Sequence, residues 1–163
     1  MRVTRYLTKI NPIISSFVRR KFGKMQAVNF TTSNNRYYLY PDSMSDGTLR
    51  AFALLIAMFQ DDSLDAPKLS LICIEEPETG LHPAAANIMM DAIIEASKDR
   101  QIVITTHSAD ILEDVNVDKT NIIFTNLSKD GFTIFSNISS DTKEIIRRGL
   151  YHPGELLRMG QLS

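Results

Sequence analysis

Glu75 and Glu76 stand side by side just past a short apolar run, Leu-Ser-Leu-Ile-Cys-Ile over residues 69–74. Two adjacent carboxylates in such a place cost desolvation free energy unless they reach water or perform chemistry. One can hold Mg²⁺, a hard cation that takes oxygen ligands. The other can orient and polarise an attacking water, which phosphoryl transfer requires. A merely polar strand terminus is the alternative. A second stretch, Thr105-Thr106-His107-Ser108, closes another apolar run. A neutral imidazole there can hydrogen-bond a phosphate oxygen or the water, and an ordinary structural histidine is the competing reading. The third stretch, Ser45-Asp46-Gly47-Thr48, opens a helical pattern. Amide protons and the helix dipole at a helix start favour an anion. Gly47 would let a ligand approach the backbone closely, and Ser45 offers a hydroxyl. Each stretch alone is explained as a cap or a strand end; their order along one chain gives them weight together.

The elements that must position them follow from apolar spacing. Residues 69–74 predict a strand buried on both faces, which would also bury Cys73 as an inert thiol. A helix is predicted from Pro83, a residue tolerated at the first helical position, to about residue 98. Residues 101–105 predict a second buried strand, a short helix follows Ser108, and residues 121–124 predict a third strand. Residues 132–135 can pair back onto it across Lys129-Asp130-Gly131. Strand, helix, strand, helix, strand predicts an α/β domain with a mostly parallel sheet flanked by helices, whose ligands gather at the carboxyl ends of the strands.

Ser45 and Asp46 are good caps for a helix over residues 47–60. Leu49, Phe52, Ala53, Ile56 and Phe59 mark its buried face, and it is apolar almost all round. Residues 61–68 predict a polar loop. Upstream, residues 4–24 predict a partly helical segment interrupted at Pro12. Leu7, Ile10, Ile13, Ile14, Phe17 and Val18 form its apolar stripe. Arg19, Arg20, Lys21 and Lys24 read as its solvated end, with nucleic-acid contact as the alternative. Residues 27–30 and 36–40 predict a β-hairpin around the turn residues 31–35. Tyr37, Tyr38 and Tyr40 suit packing within it, and base stacking is the other reading. Two tail helices are predicted near residues 143–148 and 153–159. The whole reads as one domain: a helix-and-hairpin lead-in over 1–42, a core over 43–136 and a helical tail over 137–163.

Bulk properties narrow the field. A chain of 163 residues with 44% apolar and 23% charged residues can bury a substantial core. The net charge of −1 argues against strong overall attraction to nucleic acid or anionic membrane, though not against a local basic patch. A single cysteine precludes an internal disulfide and fits a reducing, cytoplasmic setting. No apolar run approaches the roughly 20 residues of a membrane span, so no membrane partner is expected.

Met44-Ser45-Asp46-Gly47-Thr48 resembles the signature motif of ABC ATPases, commonly Leu-Ser-Gly-Gly-Gln. Leu69-Ser-Leu-Ile-Cys-Ile-Glu-Glu76 looks like a Walker B strand. Pro77-Glu-Thr-Gly-Leu-His-Pro83 is similar to the D-loop region, and Ile104-Thr-Thr-His-Ser108 to the His loop. Their order matches the carboxyl-terminal half of an ABC-type head, and the combination most resembles the RecF-like and OLD-like ATPases related to SMC heads. The matching motifs run over residues 44–108. The resemblance implies a partial P-loop NTPase fold and ATP with Mg²⁺ as substrate and metal. It implies Glu75 as the metal-supporting acid, Glu76 as the residue working on the attacking water, and His107 as the switch histidine at the γ-phosphate. It further implies that Ser45, Asp46, Gly47 and Thr48 meet the nucleotide of a second head, with Gly80, Leu81 and His82 at the seam. Glu75 stands where Asp is usual, Asp46 replaces Gly, Thr48 replaces Gln, and His82 occupies a position often held by Asp.

No Gly-x-x-x-x-Gly-Lys-Ser/Thr occurs in the chain; Gly23-Lys24 is followed by Met25. The expected partners are therefore a second head and a segment bearing a Walker A loop, with DNA a candidate from the resemblance to repair and defence ATPases. A chain cut from a longer ATPase, a split gene and a degenerate head all fit this pattern. The competing function is a non-enzymatic interaction module with vestigial motifs. No acidic cluster beyond Glu75, Glu76 and Glu78 suggests a nuclease.

Overall fold

A computed structural model describes residues 1–34, 37–59, 69–113 and 115–161. The chain divides into two compact units, Met1–Thr106 and His107–Ser163.

The first unit begins with helix α1 (Arg2–Ile10) and continues into strands β1 (Ile14–Phe22), β2 (Met25–Thr32) and β3 (Tyr38–Leu39). These strands form an antiparallel sheet in that order. The helical stripe predicted over residues 4–24 therefore ends at Ile10, and the basic cluster lies on a strand and its turn. Local propensity permits the strand and pairing with β2 selects it. Ile-Ser-Ser-Phe-Val is rich in β-branched and aromatic residues, and Gly23 adopts φ +61° at the first central position of a two-residue turn that pairs Phe22 with Met25. The predicted hairpin is present in short form, with Phe30 opposite Leu39 and Thr31 opposite Tyr38; Asn35 and Arg36 lie outside the described residues. Packing does not enclose its aromatics: Tyr37, Tyr38 and Tyr40 are 67%, 50% and 55% exposed.

Helix α2 (Asp46–Met58) follows a 3-10 turn over Pro41–Ser43. It buries Ala51, Phe52, Leu55 and Met58; Phe52 and Phe59 of the predicted stripe are buried, whereas Leu49 is half-buried, Ala53 exposed and Ile56 39% exposed. A helix apolar on nearly every side offers more than one stripe, so its neighbours decide the rotation. Phe52 meets Phe17 and Phe30 edge-on, with ring centroids 4.8 and 5.0 Å apart. The loop predicted over 61–68 and Gln60 lie outside the described residues.

Strands β4 (Leu71–Glu75) and β5 (Gln101–Thr105) pair in parallel, joined through helix α3 (Pro83–Ala96). Leu7, Leu55, Met58 and Met89, from α1, α2 and α3, are fully buried. The expectation that β4 and β5 are covered on both faces fails. Leu71 and Val103 are 50% and 45% exposed, and Cys73 is exposed rather than buried. Ile74 on the other face is buried, so the pair is covered on one side only.

In the second unit, α4 (Ala109–Leu112) precedes β6 (Ile123–Leu127) and β7 (Thr133–Asn137), an antiparallel hairpin. The third strand of the predicted series thus takes its sequence neighbour as partner and forms a separate two-stranded sheet. The tail helices are α5 (Ser140–Arg147) and α6 (Pro153–Arg158). Leu156 and Ile138 are buried together beside Ile122, Ile146 and Leu157. Gly154 lets α6 approach α4: a Cβ there would lie 2.2 Å from the Ala109 carbonyl oxygen.

Candidate functional site

The parallel register sets Glu75 opposite Thr105, so both strands deliver their next residues to the same end. Glu75 is exposed and Glu76 half-buried. Glu76 adopts φ +41°, the one non-glycine residue with positive φ among those described. A β-carbon in that region carries strain of roughly 1–3 kcal/mol, held only where surrounding contacts over-determine it. Those contacts are visible. The Glu76 amide donates to the Thr105 carbonyl at 2.9 Å, and its own carbonyl accepts from the Thr79 amide at 3.1 Å. Thr79 Oγ1 donates to the Glu76 carboxylate at 3.0 Å. Arg50, from the second turn of α2, donates from Nη2 to the Glu75 carbonyl at 2.5 Å and to the Glu76 carbonyl at 3.1 Å. The guanidinium thus grips the backbone of both acids.

The turn after the acids also reaches the end of β5. Thr106 Oγ1 donates to Glu78 Oε1, while Glu78 Oε2 is buried with no hydrogen-bond partner. His107, the next residue along the chain, is exposed and begins the second unit. His82 caps α3, its Nδ1 accepting from the Ala84 amide at 3.3 Å, which places the neutral ring's proton on Nε2.

At the start of α2, Ser45 is the N-cap. Its Oγ accepts from the Thr48 amide at 3.3 Å and shares a hydrogen bond with Thr48 Oγ1 at 2.8 Å. Ser45 and Asp46 are exposed, whereas Gly47 and Thr48 are buried. The close approach that Gly47 permits is to the chain itself: a Cβ on Gly47 would lie 2.0 Å from the Gly80 carbonyl oxygen. Gly80, at φ +78°, returns the contact, its own Cβ position lying 3.2 Å from the Gly47 Cα. The helix start and the turn after the acids are therefore packed backbone to backbone.

The fold thus joins the helix start, the two acids and residues 77–80 into one connected piece. Sequence reasoning singled out both ends of that piece and missed Arg50 and Thr79. Arg50 carried a signal, being the cation one turn into a capped apolar helix. Only the fold reveals that its target is the backbone of Glu75 and Glu76.

Among the described residues no three His, Cys, Asp or Glu side chains converge as a metal cage. Mg²⁺ is ordinarily held by one or two carboxylates together with substrate phosphates and water. Glu75 and Glu76 are the pair that could do so.

The profile of a family described as "AAA domain, putative AbiEii toxin, Type IV TA system" matches residues 7–113. Over 75 residues, 44% of this chain, the sequence is 40% identical to ABC transporter A family member 9 and 39% identical to member 11, both of Arabidopsis thaliana. The aligned part spans only 7% of the length of those relatives. A structure solved in work on ATP-driven dimerization and DNA-stimulated activation of SMC ATPases superimposes with TM-score 0.64 at 16% identity, covering 91% of this chain and 88% of that one. An Smc head domain of Pyrococcus furiosus, with an extended coiled coil and bound to the carboxyl-terminal domain of ScpA, superimposes with TM-score 0.60 at 16% identity, covering 91% and 36%. These likenesses establish the fold as that of a P-loop NTPase head.

Proposed function

Because the chain belongs to the AAA-domain family of the putative AbiEii toxin type, an ABC- and SMC-like ATPase lineage, we propose that it forms the catalytic-acid and signature lobe of an ATPase head. ATP is bound and hydrolysed between two such heads. Glu75 supports Mg²⁺ beside the phosphates, Glu76 orients the attacking water and His107 serves the γ-phosphate. Ser45 and Asp46, exposed at the start of α2, face the nucleotide held by the opposing head, with Gly47 and Thr48 shaping that start from within. Gly80, Leu81 and His82 lie at the seam between heads. The setting is DNA repair or defence against foreign DNA.

One observation carries this reading: Glu76 is held at φ +41° by contacts that include Arg50 of α2. Strain concentrated on an acid at a strand end has no role in a simple polar terminus. Its attachment to α2 gives the helix start a mechanical path to the water-activating residue. The partly uncovered faces of Leu71, Cys73 and Val103 support a further part of the proposal. Parallel strands are ordinarily covered on both sides, and a lobe carrying the phosphate-cradling Walker A loop would supply that cover.

The test is ATP turnover by the chain assembled with a Walker A-bearing lobe, with and without Glu76→Gln. The expected result is slow turnover and accumulation of nucleotide-bound dimers in the variant. Unchanged turnover would favour the second reading, an interaction module with vestigial motifs. For the chain alone, calorimetric titration should detect no tight Mg²⁺-dependent ATP complex.

A further inference from the structure

Charge is divided along this chain in a way its net value of −1 conceals. Residues 1–41 contain eight Lys and Arg and not one Asp or Glu, while residues 42–163 hold ten cations against all nineteen acids. Arg2 and Arg5, on α1, are taken up by Asp99 and Glu95. Arg19, Arg20, Lys21 and Lys24 are not: among the described residues none of them has a carboxylate partner within ion-pair reach.

These four cations sit at the free end of the β1–β2 hairpin. Residues 19–26 are exposed without a break, so the ribbon runs beyond the helix that covers its base, where Phe17 packs on Phe52. Alternation along β1 puts Arg19 and Lys21 on the Phe17 side and Arg20 and Phe22 on the other. On that other side the Arg20 guanidinium lies over the Tyr38 ring, 5.0 Å from its centroid. Phe22 is 54% and Tyr38 50% exposed. Two flat rings and a guanidinium plane therefore share one open face, Lys24 lies in the turn, and Arg19 and Lys21 project from the opposite face of the same edge strand.

We infer that the free end of this hairpin, its open aromatic face together with the β1 edge and the turn, binds single-stranded nucleic acid. Arg20 on the open face, Lys24 at the turn, and Arg19 and Lys21 reaching round the ribbon edge neutralise backbone phosphates of a strand that follows this end, and exposed aromatic rings stack unpaired bases of any sequence. A paired and stacked duplex keeps its base faces from such rings, so the aromatic half of the surface selects single strands. An anionic membrane would satisfy the cations alone, but would ordinarily be met by an amphipathic helix rather than a polar ribbon. The inference stands apart from nucleotide chemistry and needs no ATP.

The test is fluorescence anisotropy of the purified 163-residue chain with an end-labelled 20-nucleotide oligothymidylate, repeated with a 20-base-pair duplex and with phosphatidylserine/phosphatidylcholine vesicles. Binding to the single strand should weaken about 50-fold between 50 and 200 mM salt, the slope near −3 expected of four phosphate contacts. The variant R19Q/R20Q/K21Q/K24Q should lose most of the affinity and that slope. Tyr38→Ala should lose roughly tenfold at fixed salt with the slope kept, and Tyr38→Phe should retain binding. Circular dichroism establishes that the variants are folded, as expected for exposed positions. Affinity unchanged by the fourfold variant, duplex bound as tightly as single strand with Tyr38→Ala neutral, or vesicles bound in place of oligonucleotide would each overturn the inference.

Discussion

Two clusters in the first unit use the same residue types to opposite ends. Where α1 meets α3, Arg5 pairs with Glu95, Arg2 pairs with Asp99 at 3.0 Å, and Tyr6 donates its hydroxyl to Glu95 at 2.6 Å. The Tyr6 ring stacks on Phe59, with centroids 5.6 Å apart, and Arg2 lies over Phe59 at 4.7 Å. Charges there cancel one another across relaxed helices. At the end of β4, Arg50 instead donates to two backbone carbonyls, and the acid beside it is held in a strained conformation. The first arrangement holds helices together. The second directs its cation to the backbone of the acids, and that difference separates a structural ion cluster from a candidate catalytic one.

The comparison is sharpened most strongly by activity. In the assembled head, Glu76→Gln should lower turnover by about 10²–10⁴-fold, the usual range for removing a group that handles the water's proton. Glu95→Gln should leave turnover within about twofold. A large loss from Glu95→Gln would erase the distinction between the clusters.

Next comes backbone packing. Gly47→Ala should destabilise the chain by about 3 kcal/mol in a urea titration, because its Cβ would meet the Gly80 carbonyl, which has no flexible side chain to yield. Gly154→Ala, which crowds Ala109 in the second unit, should destabilise comparably. Of the two, only Gly47→Ala should also depress turnover in folded protein.

A smaller effect is expected at Arg50. Arg50→Ala should cost about 2 kcal/mol, the scale of charge-assisted hydrogen bonds to backbone, and Arg50→Lys should recover part of it. If Arg50→Ala changes neither stability nor turnover, the link between α2 and the acids is idle.

The smallest effects are the titrations of the α1–α3 cluster. Burial and the hydrogen bond to Glu95 push the Tyr6 hydroxyl up to about 12. Absorbance at 295 nm should show it ionising there in the wild type and lower in Glu95→Gln. A raised phenol means stability fully present below the unfolded value near 10 and lost as pH rises towards 12. The Tyr6 hydrogen bond, with the nearby Arg5 and Arg2, draws the Glu95 carboxyl below the ordinary 4.5. Its contribution is therefore present above about 4.5 and lost as pH falls through the lowered value. Thermal melts from pH 6 to pH 3 should fall less steeply for Glu95→Gln.

Much of this molecule was legible along the chain. The start of α2 was readable because a serine cap before an apolar helix has few other uses. The β4–α3–β5 unit was readable because short apolar runs flank a proline-led helix. The β6–β7 hairpin followed from its Lys-Asp-Gly turn. The acids could be placed at a strand end by order alone. Residues 14–22 were not readable as a strand, since Ile14, Phe17 and Val18 fit a helical stripe as well as a pleat. Pairing with β2 makes the choice. The rotation of α2 was equally open, because Leu49 and Ile56 are as apolar as Ala51 and Leu55.

The sequence by itself determined the local chemistry: where the acids, the imidazole and the capped helix start fall, and that the Gly-x-x-x-x-Gly-Lys-Ser/Thr pattern does not occur among these residues. Residue type and near-neighbour spacing carry that information. Tertiary structure alone decided that Arg50 grips the backbone of the acids, that Gly47 rests on Gly80, that Glu76 is strained, and that Cys73 faces outward. Those are contacts between segments some 25 to 35 residues apart, or the lack of a covering layer. Such contacts depend on how elements pack, which no run of neighbouring residues encodes.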